Sequence, residues 1–93
     1  MVVSMDGLIV ADALMEGIRG NAVAALAASL FKRCDQATAA SRVGATRFFH
    51  LQAEDGTLLS LPAGDELLLV AVADGDVNVG LARLEMLRAA ERL

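Results

Sequence analysis

The chain has 93 residues, 56% hydrophobic and 22% charged, and its twelve acidic and eight basic side chains give a net charge of −4. One compact domain over residues 1–93 fits this length, and an apolar fraction above the usual ~45–50% excludes a disordered chain. The longest charge-free apolar stretch, Ala22 to Phe31, falls far short of the roughly 18–20 residues that span a bilayer.

Two further features narrow the setting. Only Lys32 and Arg33 are adjacent basic residues, and with Trp and Tyr absent only Phe31, Phe48 and Phe49 offer a stacking platform for bases, so nucleic acid binding is disfavoured. No Lys or Arg precedes Arg19, which argues against a signal or transit peptide, and the single cysteine, Cys34, suits a reducing compartment. A cytoplasmic protein is expected. Cys34 lies within a helical pattern, where packing is a more ordinary role than reactivity.

In chain order, Met1–Ser4 and Leu8–Ala13 are predicted strands joined at Met5-Asp6-Gly7, a hairpin signal because glycine accepts the positive φ of the turn. Leu14–Arg19 reads as a loop, and Gly20-Asn21 can cap a helix running from Ala22 to about Ser41, with Gly44 as its stop. A second hairpin follows, Arg47–Ala53 and Thr57–Leu61, turned at Asp55-Gly56 and closed by Pro62. Leu67–Ala73 is an unbroken apolar run, the pattern of a strand buried on both faces at the centre of its sheet. After Asp74-Gly75-Asp76, helical spacing returns from Val77 to Leu93. The expected order is β-β-α-β-β-β-α.

The helices carry more apolar surface than one sheet can cover. On the first, Val23, Leu26, Leu30, Cys34 and Ala37 share a face that is expected to lie on the sheet. Ala24, Ala28, Phe31 and Asp35 share another, where alanine either raises helix propensity or lets a second helix approach, with Phe31 as anchor. The last helix has two stripes, Val77-Leu81-Leu84-Leu87 and Val79-Ala82-Met86-Ala89-Leu93. A helix apolar on two sides is normally sandwiched between neighbours.

Catalytic patterns are sparse. His50 is the only histidine and falls in a strand beside Phe49 and Leu51. No phosphate-binding glycine loop occurs, and Asp74 and Asp76 lack the remaining ligands of a calcium loop. Ser4, Ser29, Ser41 and Ser60 have no nucleophile motif around them. Arg33, Arg42 and Arg47 fit solvated or edge-strand positions better than an inserted arginine finger. A binding module without catalytic residues, cofactor or metal is expected.

The segment Val2-Val3-Ser4-Met5-Asp6-Gly7-Leu8-Ile9-Val10-Ala11 at the start resembles the Roadblock family of dynein-light-chain-related proteins. Asp76-Val77-Asn78-Val79-Gly80-Leu81-Ala82-Arg83-Leu84-Glu85-Met86 is similar to the family's final loop and helix in bacterial members. The resemblance implies an α+β, Roadblock/longin-like fold: a five-stranded antiparallel sheet, a long helix on one face and the C-terminal helix on the other. The family's usual N-terminal helix, packed beside the last one, has no counterpart here, so Val79, Met86 and Leu93 are expected as an uncovered second partner surface. The resemblance further implies a homodimer through the long helix and the third strand. That would place Ala24, Ala28, Phe31 and Asp35 in a helix–helix contact and Arg47, Phe48, Phe49 and His50 along the joined edge. Similar bacterial proteins regulate Ras-like small GTPases, so a non-catalytic regulator or scaffold of a small GTPase is the implied function. The alternative is a structural assembly subunit stacking through the last helix.

Overall fold

The computed structural model describes residues 1–11 and 17–93. The described residues form β1 (Val2–Ser4), β2 (Ile9–Ala11), α1 (Gly20–Ala40), β3 (Phe49–Gln52), β4 (Thr57–Ala63), β5 (Leu67–Ala73) and α2 (Val79–Glu91). Asp12 and Ala13 of the expected second strand, and Leu14–Glu16 of the expected loop, lie outside them. The element order is the one that the sequence pattern predicts.

Both Asp-Gly turns close hairpins. At the first, the Gly7 N–H donates to the Ser4 carbonyl at 2.9 Å, and the Ser4 N–H donates to that of Leu8. Gly7 has φ +86°, and a Cβ there would stand 3.0 Å from the Cα of Ala25 on α1. Glycine is needed twice over, for the turn and for the close passage of the helix. At the second, the Ala53 N–H donates to the Gly56 carbonyl at 2.8 Å.

The sheet runs β2-β1-β5-β4-β3, and every neighbouring pair is antiparallel. The apolar run Leu67–Ala73 is indeed the central strand. Alternation along β4 and β5 divides the core in two. Leu68 and Val70 join Val3 and Phe49 beneath α1, whereas Leu69 and Ala71 turn to the opposite face and join Leu59 and Leu61 beneath α2. Helix α1 lies over β1, β2 and β5, and α2 lies over β4. This is the expected α+β architecture.

Of the boundaries that differ from expectation, three have a clear physical cause. Strand β4 continues through Pro62 to Ala63, in register with Leu68 and Leu67 of β5. Pairing with β3 stops at Ser60, so Pro62 sits where β4 has no second neighbour and a missing N–H costs no ladder bond there. Strand β3 is shorter than Arg47–Ala53 because Arg47 and Phe48 lie in the approach to it. Helix α1 stops before Gly44. Arg42 adopts the left-handed conformation at φ 62°, and its N–H donates to the Ala39 carbonyl while that of Val43 donates to Thr38. That pair of bonds is the Schellman pattern, which glycine usually fills.

An L-residue in the left-handed region costs about 1–2 kcal/mol, and glycine gives part of this back as unfolded-chain entropy. Arg42→Gly should therefore raise unfolding stability by about 0.5–1 kcal/mol in urea titrations. An unchanged or lower midpoint would contradict the assignment of Arg42 as the helix stop.

Candidate partner-binding surfaces

The inward face of α1 is centred on the alanine stripe rather than the expected one, with Val23, Leu30 and Cys34 of the expected face packed at its margin. Ala24, Ala27 and Ala28 are at most 2% exposed and Phe31 is buried, whereas Leu26 is 70% exposed. Sheet bulk explains this. The facing surface already carries Val3, Leu68, Val70 and Phe49, so close packing requires small side chains on the helix. Ala24, Ala28 and Phe31 are therefore core residues and not a helix–helix contact. Phe31 stacks at a tilt on Phe49, ring centroids 6.4 Å apart.

Asp35 also turns inward. Its Oδ1 accepts the buried Thr46 N–H at 2.8 Å, and the Thr38 and Thr46 hydroxyls bond each other at 3.0 Å. These contacts tie the last turns of α1 to the segment that leads into β3. Asp35 is a structural tether, a role that helical periodicity alone could not reveal because its partner is eleven residues away.

What α1 leaves outside is Leu26, bordered by half-buried Val23, Leu30 and Cys34. Of the apolar set that the periodicity identified, Val23, Leu30 and Cys34 still pack against the margin of the core, while Leu26 and Ala37 face solvent. Ala25 rests beside Gly7 in the β1–β2 turn, and Cys34 is nine residues on, half a revolution around the helix. The Val23–Leu30–Cys34 flank thus faces away from the β1–β2 hairpin, toward the β4–β3 end of the sheet.

At that end, β3 pairs with β4 and its other edge is open among the described residues. The four residues expected along the joined edge divide by environment. Arg47 and His50 are exposed, and Phe49 is buried beneath α1. Phe48 packs into the opposite core beneath α2, where the Arg83 guanidinium lies 5.5 Å from its ring centroid. Such a contact screens a half-buried aromatic from water.

Helix α2 divides the second expected surface. Met86 is buried on Leu59 and Leu61, with half-buried Val79 packed beside it, and Met86, Ala82 and Ala89 line a groove between the helix and the sheet. The stripe left uncovered holds Leu81 and Leu84, 54% and 44% exposed. Leu93 is exposed as expected, past the helix end at Glu91. The helix starts where Asn78 accepts the Leu81 N–H at 3.0 Å, an N-cap that sets the phase of both stripes. Sequence spacing separates the stripes but does not say which one the sheet takes. The sheet takes Val79, Ala82 and Met86, with Leu87 of the other stripe packed against the same cluster.

The described residues hold no cluster of three or more His, Cys, Asp or Glu side chains arranged for a metal ion. No helix among them is long and apolar enough to cross a membrane.

A family model for the Roadblock/LC7 domain matches residues 1–73. The chain belongs to the Roadblock/LC7 family. An uncharacterised protein of Methanocaldococcus jannaschii, MJ1340, is 34% identical over all 93 residues, which cover 81% of that protein. Among solved structures, MglB of Myxococcus xanthus superposes with a TM-score of 0.88 at 19% identity, over 97% of this chain and 74% of MglB. An MglB with tetrameric arrangement superposes at 0.88 with 26% identity, over 99% of this chain and 71% of its own. The Roadblock/LC7 fold therefore accounts for both helices and all five strands described.

Removing Asp35 leaves a buried backbone donor without a partner, which costs about 1–3 kcal/mol. Asp35→Ala should lower stability by that amount and speed amide exchange at Thr46. Unchanged exchange at Thr46 would show that the tether contributes nothing.

Proposed function

We propose that this Roadblock/LC7 chain acts as a non-catalytic homodimer in the cytoplasm, regulating or scaffolding a Ras-like small GTPase. The observation that carries the dimer is the open edge of β3 lying on the same side as the Leu26 flank of α1. An unpaired strand edge invites addition of another strand, and the flank offers apolar contact above the joint. Two copies related by a twofold axis satisfy both, because an isologous contact uses the same patch on each partner. In this arrangement Leu26 and Leu30 take the helix contact first expected of Ala24, Ala28 and Phe31. Arg47 and His50 flank the joined strands from exposed positions.

The GTPase reading rests on family membership, on the likeness to MglB structures and on the sparseness of catalytic patterns in the sequence. A dimer of this kind offers a partner a continuous, pre-formed surface, which lowers the ordering cost of binding. A second contact through α2 is favoured by one observation, the exposed Leu81 and Leu84 stripe, which would serve an assembly subunit as well as a regulator.

Leu26→Glu should convert a dimer to a folded monomer in sedimentation equilibrium, since a like charge from each copy would meet in the contact. Phe31→Glu would instead probe the core. A Leu26→Glu variant that remains dimeric sinks the proposed helix contact. For the regulatory role, the immobilised protein should retain small GTPases of its own organism differently when they carry GDP or a GTP analogue. Retention of none of them in either state would count against it.

A further inference from the structure

Among the described residues, the α1 side of the sheet is only partly covered, and its open end has a distinct chemistry. Helix α1 lies over β1, β2 and β5, leaving a groove of about 1000 Å³ where the β3–β4 turn meets the β5–α2 loop. Its floor is aliphatic: Leu51, Leu58 and Val72 from three adjacent strands, with Ile18 and Val77 at the margins. Leu51 and Val72 are 44% and 45% exposed, unusual for the inner face of a packed sheet. Four carboxylates stand around this floor, Glu54 and Asp55 from one turn and Asp74 and Asp76 from the other.

That rim gathers four of the twelve acidic residues of the chain at one end of the sheet. None of the four makes an ion pair or side-chain hydrogen bond among the described residues, and they form no metal-binding cluster there. Carboxylates of one sign around a groove attract a cationic partner. An apolar floor within a single-sign rim selects a ligand with both properties. Aliphatic side chains supply the affinity by burial, and charges around them supply orientation and encounter rate.

We propose that this groove docks a basic amphipathic segment of a partner protein, with aliphatic anchors over Leu51 and Val72 and Lys or Arg flanking them against the four carboxylates. A nucleic acid or anionic membrane is excluded as occupant by the sign of the rim. The groove is separate from the proposed dimer contacts: edge pairing of β3 uses backbone groups, and none of Val23, Leu26, Leu30 and Cys34 lines the groove.

The test uses the full chain and a fluorescein-labelled twelve-residue peptide with two central leucines flanked by lysines and arginines. Anisotropy should show saturable binding that weakens with salt. A peptide with its leucines replaced by glycine, or its basic residues by glutamate, should bind at least about tenfold more weakly, because each removes one of the two recognition terms. Substituting the rim (Glu54→Gln, Asp55→Asn, Asp74→Asn and Asp76→Asn together) should weaken the parent peptide by at least about fivefold and flatten its salt dependence. Leu51→Ser with Val72→Ser should weaken it comparably while leaving the salt dependence. Absence of saturable binding, or equal binding of the leucine-free peptide, overturns the proposal. So does a change in native mass on the Leu51→Ser and Val72→Ser substitutions, which would assign the floor to contact between copies of this chain.

Discussion

Helix α1 can approach the sheet only because the side chains it turns inward are mostly alanine. The sheet face beneath it is filled by Val3, Leu68, Val70 and Phe49, and a second bulky layer would hold the helix away and open voids. Ala24, Ala27 and Ala28 close that gap, with Phe31 reaching down to Phe49. Gly7 meets the same demand from the other side, since the β1–β2 turn passes against the backbone at Ala25. Once the small face is committed to the sheet, the larger Leu26 must remain outside. The surface offered to a partner is a consequence of how the core is packed.

The same trade sets the rest of the molecule. The Asp35–Thr46 bond fixes the chain as it leaves α1 and delivers Phe48 and Phe49 to opposite cores. Strand β3 is thereby held at the sheet margin with one edge open. On the far face, Asn78 starts α2 in the phase that buries Met86 and leaves Leu81 and Leu84 out. A small domain has limited interior to offer its apolar residues. The excess appears as the Leu26 flank, the Leu81–Leu84 stripe and the aliphatic floor at Leu51 and Val72.

Much of this is legible in the residues. Asp-Gly turns locate both hairpins, the run Leu67–Ala73 declares the central strand, and the apolar stripes on the helices are real. What periodicity does not contain is the choice of which stripe faces inward. That choice depends on side-chain volume across the interface: alanine opposite leucine and valine on α1, and methionine over two leucines on α2. Ranking faces by hydrophobicity favours Leu26 for the core, whereas fitting volumes favours Ala24 and Ala28. Nor could sequence spacing show the Asp35 tether or bring Glu54 and Asp55 beside Asp74 and Asp76, because strand pairing alone makes those residues neighbours. A Schellman stop on Arg42 in place of glycine gave no local warning.

The central claim is that the Leu26 flank and the open edge of β3 form one contact between two copies. Amide hydrogen exchange at Phe49–Gln52 tests it most directly. In a dimer joined through β3, the amides facing away from β4 are hydrogen-bonded to the second copy. They should be protected at high protein concentration, and lose that protection on dilution or in a Leu26→Glu variant. Free exchange of those amides at every concentration, with the rest of the sheet protected, would contradict the account.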